Sequence, residues 1–174
     1  MKNFADIFRR KVIAEAEQET LEIRNVIIDD YTSTVIGDNV YLGNWVHIRP
    51  GVVIGDNSDI RDHVFLAEGC RIGRNTKVFQ FANIAAYTKI GDNCFIGLHA
   101  VFSNDKKICY PIEEGNNWKM EPSVVEDNVR IGIGAVILPG IRIASGCTIG
   151  AGAVVTKSTL PNTTYVGNPA KPID

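Results

Sequence analysis

Apolar residues recur at every sixth position through the middle of the chain: Ile36, Leu42, Ile48, Ile54, Ile60, Leu66, Ile72, Val78, Ile84, Ile90, Ile96 and Phe102. With 45% hydrophobic residues overall, such an unbroken run arises by chance less than about once in ten thousand trials. Helices repeat every 3.6 residues and strands every 2, so neither produces it. Four residues after each of these positions stands a small or β-branched residue: Val40, Val46, Val52, Ser58, Val64, Cys70, Thr76, Ala82, Thr88, Cys94 and Ala100. The large and the compact residue form an inward pair that can stack layer on layer inside a narrow prism. The pattern predicts a solenoid of short strands.

A second period lies over the first. Gly37-Asp38-Asn39, Gly55-Asp56-Asn57, Gly73-Arg74-Asn75 and Gly91-Asp92-Asn93 repeat one turn motif every eighteenth residue, so three hexads make one coil. Asn tolerates a left-handed backbone, and an Asn column means the same tight turn on each coil. Another corner holds Gly51, Gly69 and Tyr87, and the remaining one Trp45, His63, Phe81 and His99. Turn chemistry does not account for that bulky column.

After Phe102 the pattern stops, and it resumes at Val125, Ile131, Ile137, Ile143, Ile149 and Val155, with Asp127-Asn128 restoring the Asn corner and Pro139-Gly140 matching Pro50-Gly51. The intervening stretch reads as an inserted loop over 103–124, and a long loop within a regular solenoid is usually functional. Residues 3–22 predict an amphipathic helix on Phe4, Ile7, Phe8, Val12 and Leu21 that caps the first coil. The expected organisation is a helical cap over 1–25, the repeat over 26–160 and a tail over 161–174.

Charge excludes some partners. The chain has 18 Lys plus Arg against 20 Asp plus Glu, a formal net charge of -2, which leaves no basic footprint for nucleic acid or an anionic membrane. No run of about 18 apolar residues occurs, and charges interrupt the opening segment as they do not in a signal peptide. A cytoplasmic protein without membrane insertion is expected. Cys70, Cys94 and Cys147 fall on the compact inward position, Cys109 in the loop, and none has CxxC spacing; free, structural thiols are expected.

The hexads of form [LIV]-G-x-x-[STAV]-x, the stretch IGAGAVVTKS (149–158) and the ending VGNPAKPI (166–173) resemble the hexapeptide-repeat acyltransferases. The resemblance implies an all-β fold, a left-handed parallel β-helix, and a homotrimer with active sites between neighbouring prisms and acyl-CoA along the groove. Within that family FIGLHAVFSND (95–105) followed by a loop is similar to the N-acetyltransferases of nucleotide-linked amino sugars, which carry F-I-G-P-N-x-x-F-T-N-D. Here Leu98-His99 replaces Pro-Asn, and Phe79-Gln80-Phe81 replaces the usual Gln-Asn-Asn of the coil before.

In this light the bulky corner continues past the loop as Gly134 and Gly152, changing from filled to bare. Glycines let pantetheine approach the backbone, so Gly134, Ala135, Gly152 and Ala153 are candidates for acetyl-CoA, whose thioester would end near His99. Acyl transfer needs a neutral amine, and a His titrating near pH 7 can take its proton. His99 is the candidate base and His63 the second. A backbone N–H at Gly134-Ala135 is the candidate oxyanion donor. Asn104 and Asp105 stand ready to orient the imidazole or hold the acceptor ammonium.

Gly167-Asn168-Pro169-Ala170-Lys171 resembles the family's C-terminal CoA signature, with Lys171 and Lys157 as phosphate partners. Phe81, Tyr87, Tyr110, Trp118 and Lys119 suit a nucleotide, and equally suit a neighbouring subunit. No Cys or Ser sits with a partner that argues for an acyl-enzyme, so direct transfer in a ternary complex is expected. The alternatives are an O-acetyltransferase of a sugar or small alcohol, and a γ-carbonic-anhydrase-like zinc protein. The second needs three ligands, and His47, the one further His, sits in a different hexad position from His63 and His99, so no metal is expected.

Overall fold

The computed structural model describes residues 24–107 and 119–173. The helix predicted over 3–22, together with Cys109, Tyr110 and Trp118 of the insertion, lies outside the described residues. Those residues form 21 short strands, from β1 (Ile27–Ile28) to β21 (Lys171–Ile173). The strands build sheets of seven, six and eight strands, the three faces of a left-handed parallel β-helix. Val35 pairs in parallel with Val53, and Val53 with Arg71, so each residue lies over its counterpart one 18-residue coil away. The coil period read from the turns is the period of the ladder.

A two-residue strand can offer one side chain to each side. Arg71 is exposed while Ile72 is buried, and the same pattern holds at Lys89 and Ile90. In the eight-stranded sheet the hexad positions line up as a column of fully buried side chains, Ile60, Val78, Ile96, Ile131 and Ile149. Removing such a side chain to Ala would cost about 2–5 kcal/mol, because neighbours above and below cannot collapse into the gap. The compact positions carry hydrogen bonds that stitch the corners. Ser58 Oγ donates to Gly73 O at 2.8 Å and Thr76 Oγ1 to Gly91 O at 2.8 Å. The thiols of Cys70, Cys94 and Cys147 donate to Ala85 O, Glu126 O and Leu160 O at 3.0, 3.1 and 2.8 Å. Burial pushes the Cys70 thiol up to about 12 and that of Cys94 to about 11, so these sulfurs pack and do not react.

The chain runs from the first face (Ile27, His47, Phe65, Asn83, Val101, Val136 and Val154 outward) over one edge to the second (Val35, Val53, Arg71, Lys89, Val124, Arg142). It then passes an asparagine edge to the third face and a ring edge back to the first. All three edges use left-handed residues. At the asparagine edge Asn39, Asn57, Asn75, Asn93 and Asn128 have φ of 53 to 61°. At the ring edge Trp45, His63, Phe81 and His99 have φ of 59, 58, 60 and 54°. The bulky column is thus the same turn made with unsuitable residues, a point that spacing alone did not reveal.

The insertion leaves the ladder intact. The carboxylate of Asp127 accepts the Asp92 amide 35 residues back, where Asp56 accepts that of Asp38 across 18, so 17 residues are added without altering the coil. They leave from the edge between β13 (Val101–Phe102) and β14 (Val124–Val125). At the base Glu121 N–H donates to Asn104 O at 2.7 Å, Asp105 bridges Met120, and Lys106 Nζ lies 3.2 Å from Glu121 Oε2. We term this edge the loop edge.

Candidate active site

Along the ring edge the side chains form one stack. Trp45 and His63 lie with centroids 6.5 Å apart and planes within 10°, His63 and Phe81 4.8 Å and 5°, Phe81 and His99 4.9 Å and 4°. Trp45 and Phe81 remain 55% and 49% exposed. A left-handed backbone costs a residue with a Cβ roughly 1–2 kcal/mol, and an aromatic contact returns about 0.5–1.5. Four strained residues sharing three contacts do not balance in favour of stability. Strain kept in this way is a mark of a functional edge.

The stack ends at His99. Above it the column continues as Gly134 and Gly152, where an added Cβ would meet nothing within 4 Å. The tail closes the top of this bare stretch: Gly167 O accepts from Val154 N–H at 3.0 Å, and Ala170 N–H donates to Val154 O at 2.8 Å. The structure therefore brings His63, Phe81, His99, Gly134, Gly152 and the Gly167–Ala170 segment to one edge. Ala135 and Ala153 are 0% exposed with their methyl groups in the core, and only backbone could serve there. Even the backbone is committed: Gly134 N–H donates to Leu98 O at 2.8 Å and Ala135 N–H to Gly132 O at 3.4 Å. Within one chain both amides already have partners, that of Gly134 in the coil ladder and that of Ala135 within its own turn.

Other candidates stand elsewhere. Asn104 and Asp105 follow β13, on the loop edge, whereas His99 precedes it on the ring edge. Five residues at about 3.3 Å each separate His99 from Asn104, roughly the width of a face, so these side chains do not meet within one prism. Tyr87 is on the loop edge too, one coil below the insertion, and Lys119 lies where the chain returns from the insertion. Lys157 lies beyond Val155 toward the loop edge, while Lys171 is in β21, which pairs antiparallel with β20 (Thr164–Val166) on the third face. The two lysines cannot hold one phosphate from the same chain.

His47 takes no part in the stack. It lies on the first face with Nε2 2.9 Å from Asp29 Oδ1, while Arg49 Nη1 sits 2.5 Å from Asp29 Oδ2. The His47 hydrogen bond holds the Asp29 carboxyl below its ordinary range. His63 and His99 are kept a full stack apart by Phe81. Among the described residues no three His, Cys, Asp or Glu side chains gather where they could hold a metal ion.

Above Arg49 the first face carries no charge: its outward residues are Phe65, Ala67, Asn83, Ala85, Val101, Ser103, Val136, Leu138, Val154 and Thr156. The second and third faces carry Arg71, Lys89 and Arg142, and Asp59, Lys77 and Arg130. The sequence motifs do not mark Arg71 and Lys89 as candidates. They sit beside Tyr87 and Glu68 in a groove of about 730 Å³, and the available signal was two cations 18 residues apart at one outward position.

Known proteins share these features. The bacterial transferase hexapeptide model matches residues 33–68 and 122–157, and the hexapeptide repeat of succinyl-transferase matches 87–103. These repeats place the chain in the hexapeptide-repeat transferase family. A putative acetyltransferase of Schizosaccharomyces pombe is 44% identical over 85 residues, 45% of this chain and 41% of the relative. The chain thus spans less than half the length of that curated relative. A hexapeptide-repeat acetyltransferase of Vibrio cholerae complexed with acetyl-CoA superimposes with a TM-score of 0.61 at 22% identity, covering 95% of this chain and 79% of that one. A variant of AntD, an N-acyltransferase from Bacillus cereus in complex with dTDP-4-amino-4,6-dideoxyglucose and coenzyme A, gives 0.51 at 21%, covering 90% and 87%. No helix among the described residues is long and apolar enough to cross a membrane.

Proposed function

We propose that this protein is an acyl-CoA-dependent N-acyltransferase that moves an acetyl group onto the amine of a nucleotide-linked amino sugar. The observation that carries the reading is the single edge on which a stack of rings ends at His99 directly below an unobstructed glycine column. The relatives named acetyltransferases, and the structural neighbours bound to acetyl-CoA or to a dTDP-linked amino sugar, support it. In this reading acetyl-CoA lies along Gly134 and Gly152, with the Gly167–Ala170 segment at its far end and Lys171 or Lys157 near its phosphates.

The amine nitrogen attacks the thioester carbonyl carbon and a tetrahedral oxyanion forms. The imidazole of His99 takes the amine proton, with His63 two rings below as a reserve base. As the C–S bond breaks, the imidazolium returns that proton to the leaving thiolate, giving the amide and free CoA. No covalent acyl-enzyme is needed.

The same reading gives the uncharged first face its occupant. In a closed ring of three chains with first faces inward, the ring edge of each prism lies against the loop edge of the next. His99 and Asn104 flank one strand and so lie at nearly the same height, which lets Asn104, Asp105, Lys119 and Tyr87 of one chain face the stack of its neighbour. The oxyanion donor would come across that boundary. A homotrimer working in the cytoplasm completes the proposal.

Calorimetry with acetyl-CoA tests it, with Gly134→Trp as control. We expect saturable binding that the tryptophan abolishes, and a trimer by sedimentation. An absence of binding at millimolar acetyl-CoA would refute the acyltransferase reading.

A further inference from the structure

The loop edge carries a second concave site, separate from the ring stack. It is lined by Ser33, Glu68, Gly69, Arg71, Tyr87 and Lys89, among others, and encloses about 730 Å³. The Tyr87 ring lies flat on Gly69, where an added Cβ would fall 2.5 Å from its Cδ1. Gly69 is therefore required for the ring to take this pose. Tyr87 adopts the left-handed backbone with φ 60°, the one non-glycine residue at this edge to do so among those described. Its hydroxyl donates to Glu68 Oε1 at 3.2 Å, and its outer face remains open.

Beside that ring, Arg71 and Lys89 are directly paired across adjacent strands. Parallel strands place them about 4.8 Å apart. Both are exposed, and among the described residues neither forms an ion pair, whereas Arg49, Arg61 and Arg142 each have an acidic partner. Two like charges set one above the other repel, and a strand face gains nothing from the pair on its own. An anion with two charges spaced like those of a diphosphate would relieve it.

We infer that this groove binds the nucleoside diphosphate part of the acceptor, with the phosphates on Arg71 and Lys89 and the base on the Tyr87 ring. Glu68, held at the ring's tip, accepts from a ribose hydroxyl or a base N–H. The assignment rests on the acyltransferase reading above for what lies at the other end of the ligand. CoA also carries a diphosphate, but its place is argued differently. The bare glycine column lies on the C-terminal side of His99, whereas Gly69, Arg71, Tyr87 and Lys89 lie on the N-terminal side. Two substrates that meet at His99 must arrive from opposite ends, so this groove falls to the acceptor.

Calorimetry of the full-length protein with UDP, dTDP, inorganic pyrophosphate and CoA separates the sources. Arg71→Ala combined with Lys89→Ala should weaken UDP or dTDP at least tenfold and leave CoA unchanged, and Gly134→Trp should do the reverse. Tyr87→Gly, which suits the left-handed backbone and so keeps the fold, should weaken the nucleotides and spare pyrophosphate. Both substituted cations are on the surface, and an unchanged circular dichroism melt confirms that the fold survives.

If neither nucleotide binds, or if binding ignores Arg71 and Lys89, the assignment is wrong while acetyl-CoA binding leaves the acyltransferase reading standing. Loss of CoA binding in the Arg71 and Lys89 variant would instead assign the groove to the cofactor and overturn the proposal. Pyrophosphate binding as tightly as the nucleotides would remove the role given to Tyr87.

Discussion

The asparagine edge and the ring edge turn the chain through the same left-handed backbone, but one does so with residues suited to it and the other with rings. At the asparagine edge the side chains and their neighbours serve the ladder. Asp56, Asp92 and Asp127 each accept an amide of the coil before at 2.7 to 2.9 Å, and Asn39 Nδ2 donates to Asn57 Oδ1 at 3.2 Å. At the ring edge Trp45, His63, Phe81 and His99 hold the same φ and contact chiefly one another. One edge is built for stability. The other keeps strain and exposed apolar surface, which a fold selected for stability alone would replace with Asn or Gly.

The comparison can be broken most severely at His99. His99→Asn turns its position into the residue used on the other edge. It should lower kcat/KM by about 10²–10⁴ with a nucleotide-linked amino sugar as acceptor, with an unchanged or higher melting temperature. A variant retaining half the activity would show that His99 is not the base.

On the asparagine edge, Thr76→Val removes a hydroxyl that donates to Gly91 O at 2.8 Å and accepts from Cys94 N–H at 3.0 Å. Leaving that buried amide without a partner should cost about 1–3 kcal/mol in urea unfolding, with no effect on the affinity for acetyl-CoA. A loss confined to activity would reverse the roles given to the two edges.

Phe81→Asn tests the energetic argument at the ring edge. Relief of roughly 1–2 kcal/mol of backbone strain is set against two lost contacts of about 0.5–1.5 kcal/mol each. Stability should therefore change by no more than about 2 kcal/mol, measured by the same urea titration. A loss of several kcal/mol would mean that the stack is itself a structural element.

The smallest effect is that of pH, and it touches both edges. The Asn44 amide and side chain hold Asp62 below its ordinary carboxylate value at the ring edge, and the Ser145 amide and hydroxyl do the same for Glu126 at the asparagine edge. Because the folded values are lowered, the ionised caps stabilise the fold above the ordinary range and that contribution is lost as pH falls through the folded values. Thermal melts should hold from neutrality to about pH 5 and decline below pH 4. Asp62→Asn should flatten that decline, and a variant with the wild-type acid profile would rule out Asp62 as a contributor.

Much of the fold was legible in the chain. The spacing of Ile36 to Phe102, the compact residues four positions on and the Asn column determine the coil, its inward pair and the burial of Cys70, Cys94 and Cys147, because a solenoid repeats the same local environment every 18 residues. The site was legible only in part. His63, Phe81, His99, Gly134 and Gly152 occupy one register position and could be lined up by counting. That their backbone is left-handed, that the Gly134 and Ala135 amides are already committed, and that Asn104 and Asp105 stand a face away from His99 came from the tertiary structure. Arg71 and Lys89 show the same division. Counting places them in one column, but only the stacked faces and the Tyr87 ring laid on Gly69 make a groove beside them. Periodicity determines which residues share a column, since it follows from the local geometry of each hexad. Which columns lie next to one another, and what space remains between them, is decided by how the three faces close around the core.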